Sequence, residues 1–294
     1  MRDSGRDPGV GRARAAARLA AIALTVAACA SSSAGVGGSA RPRPTDAGSG
    51  SAAPPAGRIE LTVFAAASLR DALGAAVAAY ETASPGVAFA LSFDASSALR
   101  AQVEQGAPVD VFASADTQNP EALVRAGLAG PPVPFAGNGL AIVVPAANPA
   151  RIASPADLAR PGVRIVNAGP EVPITAYAAA LLANLARLPG YPPGYVAAVA
   201  ANVVSREDNV RVVLAKVQLG EADAGIVYAT DAASAGAAVT TIPIPVAAAV
   251  VATYAAVVPT AAPHPAAAAA FVDWLAGPAG RGILARFGFT APPP

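Results

Sequence analysis

Two side chains on which much protein chemistry depends are almost missing here: the chain has a single cysteine and a single histidine. One cysteine cannot close an internal disulfide, and the pair cannot assemble a zinc, copper or iron–sulfur site. Excess charge is missing too, since 20 Lys and Arg face 19 Asp and Glu. Without a basic surplus there is little to release counterions from a phosphate backbone, and no nucleic-acid partner is expected. Large aromatics are few, with 8 Phe, 6 Tyr and 1 Trp. The 54% hydrophobic content is largely alanine, so the core is built from small side chains. The folded part lacks GxGxxG, Walker, HExxH and GxSxG patterns and has no internal repeat, which removes the nucleotide and hydrolase signatures. An enzyme would still need a base and a nucleophile, yet His264 lies in Pro263-His264-Pro265, which reads as a surface turn.

What is present begins at the N-terminus. Arg12, Arg14 and Arg18 precede an apolar stretch, Leu19 to Ala28, of signal-peptide length and too short to span a bilayer. It runs into Val26-Ala27-Ala28-Cys29, which resembles a bacterial lipobox. Cys29 is therefore expected to carry diacylglycerol and become the mature N-terminus, anchoring an extracytoplasmic protein to the membrane. A buried thiol is the competing reading, but Ser31-Ser32-Ser33 follow directly and offer nothing to bury it. From Ala30 to Gly57 the chain is mostly Ser, Gly, Ala and Pro with almost nothing to bury, and reads as a flexible tether. The expected organisation is a signal peptide over 1–28, lipidated cysteine and linker over 29–57, and a folded part from about Arg58.

In the folded part strands and helices alternate. Ile59 to Phe64, Val87 to Phe93, Val109 to Ala113, Leu140 to Val144, Arg164 to Val166, Ala201 to Val204 and Ala224 to Val227 read as strands. Helices are expected at Leu69 to Tyr80, Ser97 to Gln105, Ile174 to Leu188, Val210 to Leu219 and Ala266 to Leu275. This is an α/β pattern with mostly parallel strands. The joints Phe135 to Asn138 and Thr241 to Pro245 divide it into lobe I (58–138 plus 242–294) and lobe II (139–241).

Four strand-to-helix turns carry donors. Ser68 stands three residues before Asp71, a capping-box spacing, and Ser96-Ser97 precede the next helix in the same way. Pro173 opens a helix at Ile174, and Asn209 caps another while leaving the amide of Val210 free. Taken singly, each residue simply caps its own helix. Several helix starts converging on one cleft would instead bind an oxyanion through unpaired N–H groups, without a buried cation.

Several blocks give the chain a family resemblance. Val63-Phe64-Ala65-Ala66-Ala67-Ser68-Leu69, Leu91-Ser92-Phe93 with its serine pair, Gly106 to Asp116, Phe135-Ala136-Gly137-Asn138, Gly220 to Tyr228 and Phe287-Gly288-Phe289 resemble, in order, the periplasmic molybdate-binding proteins of ABC transporters, the ModA family. The resemblance implies a type II periplasmic-binding fold whose two α/β lobes close on ligand by hinge motion. It also implies a monomer with no cofactor, holding molybdate or tungstate as cargo for an ABC transporter permease. Position by position, the oxyanion contacts fall on the hydroxyls of Ser68 and Ser96, the amides of Ile174 and Val210, and the phenol of Tyr228. Molybdenum is then held only as its oxyanion, with no direct protein ligand to the metal. The chain departs from the family pattern at Gly169-Pro170, one residue shorter there, and in the bulkier Ile174.

The remaining residues have structural readings: Trp274 as core, and Asp110 and Asp116 as organisers of a strand end rather than a catalytic pair. The same fold could hold sulfate or a small organic anion instead. A hydrolase or transferase on an α/β fold is the remote rival. Protonated phosphate is disfavoured, because a site made only of donors offers nothing to its hydrogen.

Overall fold

The computed structural model describes residues 57–294. The leader, Cys29 and the tether up to residue 56 lie outside the described residues. Among the described residues nine strands form one sheet, eight of them in the order β2-β1-β3-β9-β4-β7-β5-β6, with β8 off this path on β4. In chain order they are β1 (Ile59–Ala66), β2 (Val87–Asp94), β3 (Val111–Ser114), β4 (Val133–Pro145), β5 (Ile165–Ala168), β6 (Val203–Glu207), β7 (Ala224–Tyr228), β8 (Val239–Ile242) and β9 (Val251–Val257). Helices α1 (Arg70–Ala83), α2 (Ser96–Glu104), α3 (Gln118–Arg125), α4 (Pro173–Leu185), α5 (Tyr195–Ala201), α6 (Val210–Gln218), α7 (Ala229–Ala235), α8 (Pro265–Ala276) and α9 (Pro278–Arg286) cover its faces.

The helices follow their apolar spacing. In α6, Val210, Val213, Leu214 and Val217 recur at i, i+3, i+4 and i+7, and all four are buried. α1 buries Ala72, Ala76 and Tyr80 on one face, four residues apart. In β1 the alternate residues Leu61, Val63 and Ala65 point into the core. The strand and helix pattern read from the sequence is present with shifted edges. The strand expected at 201–204 runs from Val203 to Glu207, because Tyr195–Ala201 form a helix that ends just before it.

The expectation of mostly parallel strands needs correction. β1 pairs β2 and β3 in parallel, and β5 does so with β6 and β7. β4, by contrast, runs antiparallel to β7, β8 and β9, and β9 runs antiparallel to β3. The sheet is therefore mixed, and the long β4 is the reason. Its first part, Val133 to Gly139, pairs with β9, whereas Leu140 to Pro145 pair with β7 and β8.

Besides a Tyr191–Tyr195 pair, aromatics gather in two places. Tyr80, Phe89, Phe271 and Trp274 pack edge-to-face or stacked, with Tyr80 5.1 Å from both Phe271 and Trp274, so Trp274 is part of the packing as expected. Tyr254 sits at the centre of the second group, 5.6 Å from Tyr228, 5.3 Å from Phe289 and 6.2 Å from Phe135. The C-terminal segment lies on β4 through paired bonds between Gly137 and Thr290, 2.8 and 2.9 Å long. A Cβ on Gly137 would come within 2.6 Å of Thr290 Oγ1 and of the Ala291 carbonyl, so only glycine permits this approach.

Candidate functional site

β1, β2, β6 and β7 each lead within a few residues into a helix, and their turns line one narrow cleft. Ser68 and Ser96 line it from the ends of β1 and β2, and Tyr228 from the end of β7. Val172 and Pro173 at the start of α4 and Asn209 and Val210 at the start of α6 complete it. Among the described residues no Lys, Arg or His lines the cleft, and its one charged side chain is Asp94, whose Oδ1 accepts the Ala95 amide and Asn209 Nδ2. It is tight, about 10 Å³, roughly the space of one water.

Four of the five expected oxyanion residues therefore meet. The fifth, Ile174, is buried beside them, but its side chain lines a separate cavity of about 180 Å³ behind α4. Only its backbone is left to serve the cleft. The Gly169-Pro170 loop that leads to it is tied down. Gly169 N–H donates to the Glu207 carbonyl at 2.8 Å, and Thr175 Oγ1 donates back to the Gly169 carbonyl at 2.7 Å.

The capping roles expected of the two serines are not what the structure has. Ser68 lies in a short 3-10 turn (Ala67–Leu69) ahead of α1, and neither that turn nor α1 has a side-chain cap. Its hydroxyl is instead 2.8 Å from the Tyr254 hydroxyl. Ser96 is the first residue of α2, again without a side-chain cap, and its Oγ accepts the Ala115 amide at 3.1 Å. Both serines are held from behind by distant partners; this leaves the Ser96 hydrogen for the cleft, whereas between Ser68 and Tyr254 either hydroxyl can donate. The other two starts are as expected. Pro173 is the first residue of α4. Asn209 Oδ1 accepts the amides of Arg211 and Val212 at 3.1 and 3.2 Å, so the Val210 amide takes no part in the cap.

Tyr228 adds a third hydroxyl. It is buried, and among the described residues its oxygen has no hydrogen-bond partner. Burial pushes its ionisation well above the ordinary tyrosine value, so it stays protonated and able to donate. A fully buried donor without an acceptor costs free energy that a ligand oxygen would restore.

Sequence reasoning missed the groups behind this wall. Tyr254 on β9 and Asn138 on β4 are both fully buried, and Asn138 Nδ2 donates to Thr230 Oγ1 at 2.9 Å and to the Tyr254 hydroxyl at 3.3 Å. Asn138 stood in one of the family-like blocks, but nothing singled out Tyr254. Also missed was an ion pair beside the cleft. Arg211 spans Asp71, at 2.7 Å, and the buried Asp231, at 2.9 Å. Burial raises the Asp231 carboxyl to about 7, although Arg211 pulls the other way.

Asp110 and Asp116 serve structure as expected. Asp110 accepts the amides of Thr62 and His264 at 2.9 and 2.7 Å, and Asp116 accepts from Ser114 Oγ at 2.7 Å and Asn119 Nδ2 at 2.8 Å. His264 stands against Asp110, its Nδ1 3.3 Å from Oδ1, and lines no part of the cleft. Among the described residues no group of three or more His, Cys, Asp or Glu could hold a metal ion.

The bacterial extracellular solute-binding protein family matches residues 61–290. The molybdate-binding protein ModA of Mycobacterium tuberculosis H37Rv is 41% identical over 242 residues, covering 82% of this chain and 88% of the relative. The periplasmic molybdate-binding protein of Azotobacter vinelandii superposes with a TM-score of 0.67 at 25% identity, over 79% of this chain and all of that one. The sulfate-binding protein SubI of M. tuberculosis H37Rv reaches 0.70 at 23% identity, over 80% of this chain and 87% of that one, a likeness of fold alone. On the family match over residues 61–290 and the 41% identity to ModA, the chain belongs to the bacterial extracellular solute-binding proteins, in the ModA family.

Proposed function

We propose that the protein captures molybdate, or tungstate, outside the cytoplasm and delivers it to the permease of an ABC transporter. The observation that carries this reading is the cleft itself, lined by three buried hydroxyls and by the start of α6 that carries the Val210 amide, with no cation and with Asp94 as its one charged side chain. A dianion there would be held by hydrogen bonds and helix dipoles alone. The inferred contacts are the hydroxyls of Ser68, Ser96 and Tyr228 and the amides of Ile174 and Val210. Membership of a solute-binding family supports a transport role rather than catalysis.

The two-lobe division belongs to the same proposal. β4 changes partners between Gly139 and Leu140, beside the proposed boundary at 138/139. A cleft of about 10 Å³ admits a tetrahedral oxyanion only if its walls separate first, which supports hinge opening about β4 and the 242 joint. Cys29 is proposed as the lipid attachment point, with residues 1–28 removed. Among the described residues no helix is long and apolar enough to cross a membrane, so membrane attachment would rest on that anchor.

A melting panel tests the ligand. Saturating molybdate and tungstate should raise the melting temperature by mass action, sulfate should do so less, and phosphate hardly at all. A shift with sulfate alone would transfer the reading to the alternative oxyanion.

A further inference from the structure

We infer that Asn138 and Tyr254 set the direction of the hydrogen bonds at Ser68, making them positioning residues that select an oxyanion without a proton. The inference rests on the oxyanion reading of the cleft and adds what enforces its selectivity. The chain of atoms is continuous: Asn138 Nδ2, the Tyr254 hydroxyl 3.3 Å away, and Ser68 Oγ 2.8 Å further on, at the cleft wall. The other hydrogen of the amide goes to Thr230 Oγ1, at 2.9 Å. All three members are buried, and of them only Ser68 reaches the cleft.

The polarity follows from the donor and acceptor inventory. An amide NH2 can only donate, so the Tyr254 oxygen accepts from Asn138 and its single hydrogen turns to Ser68. Ser68 Oγ accepts that hydrogen, and Tyr254 is no longer available to receive the serine's own. If Ser68 offered its remaining lone pair to the ligand, its buried hydrogen would have no acceptor, at the cost of an unmade bond. Ser68 is thus committed to donate forward.

Ser96 reaches the same state by a simpler route. It accepts from a backbone amide, that of Ala115, which can never reverse. Tyr228, buried without an internal acceptor, completes a wall of hydroxyls that all give. Of these, only Ser68 depends on side chains for its direction. Molybdate, which offers acceptors on every oxygen, satisfies the wall. A hydrogen phosphate dianion of equal charge brings a proton that none of the three hydroxyls accepts, which leaves Asp94 as the one charged acceptor side chain at the cleft.

The test compares affinities for molybdate and inorganic phosphate at about pH 8 in wild type, Asn138→Asp, Asn138→Ala and Tyr254→Phe. The two anions then carry the same charge, so their affinity ratio cancels any general electrostatic or folding effect, and ligand-free melting reports the latter separately. Asn138→Asp puts an acceptor behind Tyr254 and turns the chain around. The molybdate-to-phosphate ratio should fall about tenfold, the worth of one hydrogen bond reversed. Asn138→Ala frees the tyrosine to point either way and should lower the ratio by a smaller factor, about threefold. In a Tyr254→Phe background, Asn138→Ala should leave the ratio unmoved, because Asn138 acts only through that hydroxyl. If wild type binds molybdate but both Asn138 variants keep the wild-type ratio, the inference is wrong while the oxyanion reading stands. Wild type that binds no molybdate overturns both.

Discussion

Asn209 uses both ends of its side chain at the edge of the cleft: Oδ1 caps α6, while Nδ2 donates to Asp94 Oδ1 on the end of β2, 3.1 Å away. The same carboxylate oxygen also accepts the Ala95 amide at 2.8 Å. One residue therefore fixes the helix start that carries the Val210 amide and ties that start to the strand end that carries Ser96. Asn209→Ala should cost about 1–2 kcal/mol of stability through the lost cap. It should weaken molybdate binding as well, because the two walls lose their common tie. Asn209→Asp keeps the cap oxygen but sets two carboxylates against each other, so in urea titrations it should recover little of the stability. A variant as stable as wild type with unchanged affinity would deny Asn209 this double role.

The Asp231 carboxyl gives the protein a pH signature. Its folded value, raised to about 7 by burial, lies above its ordinary value near 3.8, so the folded state holds the proton more tightly than the unfolded chain. The resulting stabilisation is complete below about pH 4 and is lost as pH rises through about 7. Arg211, Asp71, Tyr228 and Tyr254 are the charged and titratable groups that act on it or feel it. In Asp231→Asn this loss is absent. The stability difference between variant and wild type should grow by roughly 3–5 kcal/mol in favour of the variant between about pH 4 and 8. The slope matters rather than the offset, since the variant also leaves Arg211 with Asp71 alone. Parallel pH profiles from chemical denaturation would refute the raised carboxyl.

Cys29 makes a prediction outside the described residues. In a bacterial host the wild-type protein should partition with membranes, begin at Cys29 and take up a labelled fatty-acid analogue. Cys29→Ser should remain unlabelled and either uncleaved or soluble. Wild type that stays unlabelled and soluble removes the lipid anchor from the account.

What was legible in the sequence is what is set locally. The spacing of Val210, Val213, Leu214 and Val217 shows a helix and its buried face, and the residues ahead of it show the cap, because capping needs atoms only two or three residues apart. Pro173 marks its helix start for the same reason. The serines misled on capping because their partners are remote. Ser68 meets Tyr254, 186 residues away in sequence, and Ser96 meets Ala115, just past the end of β3. β9 went unread because Val251–Val257 lies in an Ala- and Val-rich stretch whose pattern fits strand or helix equally. Its antiparallel place between β3 and β4 is decided by partners more than a hundred residues away, and with it went Tyr254. Family resemblance, rather than periodicity, was what brought Tyr228 and the two serines into one site.

The hydroxyl donors can be removed one at a time. Ser68→Ala and Ser96→Ala should each weaken molybdate binding by about 1.5–3 kcal/mol, the range for hydrogen bonds to charged groups. Tyr228→Phe should lose a similar or smaller amount, because a water can partly take the place of the phenol. Calorimetric titration of each variant checks this. If both serine variants bind as wild type does, the hydroxyls are not the contacts.

The helix-start amide is tested most directly at Val210. It is the first residue of α6, where proline is tolerated, and Asn209 before it is extended, with φ −153° and ψ 169°, as a residue preceding proline prefers. Val210→Pro therefore deletes one N–H and little else, whereas Val210→Ala keeps it. Titrating molybdate calorimetrically into both variants, with ligand-free melting to verify folding, isolates that amide. The account predicts near-normal binding for Val210→Ala and loss of tight binding for a folded Val210→Pro. A folded Val210→Pro that binds molybdate as tightly as wild type would contradict it.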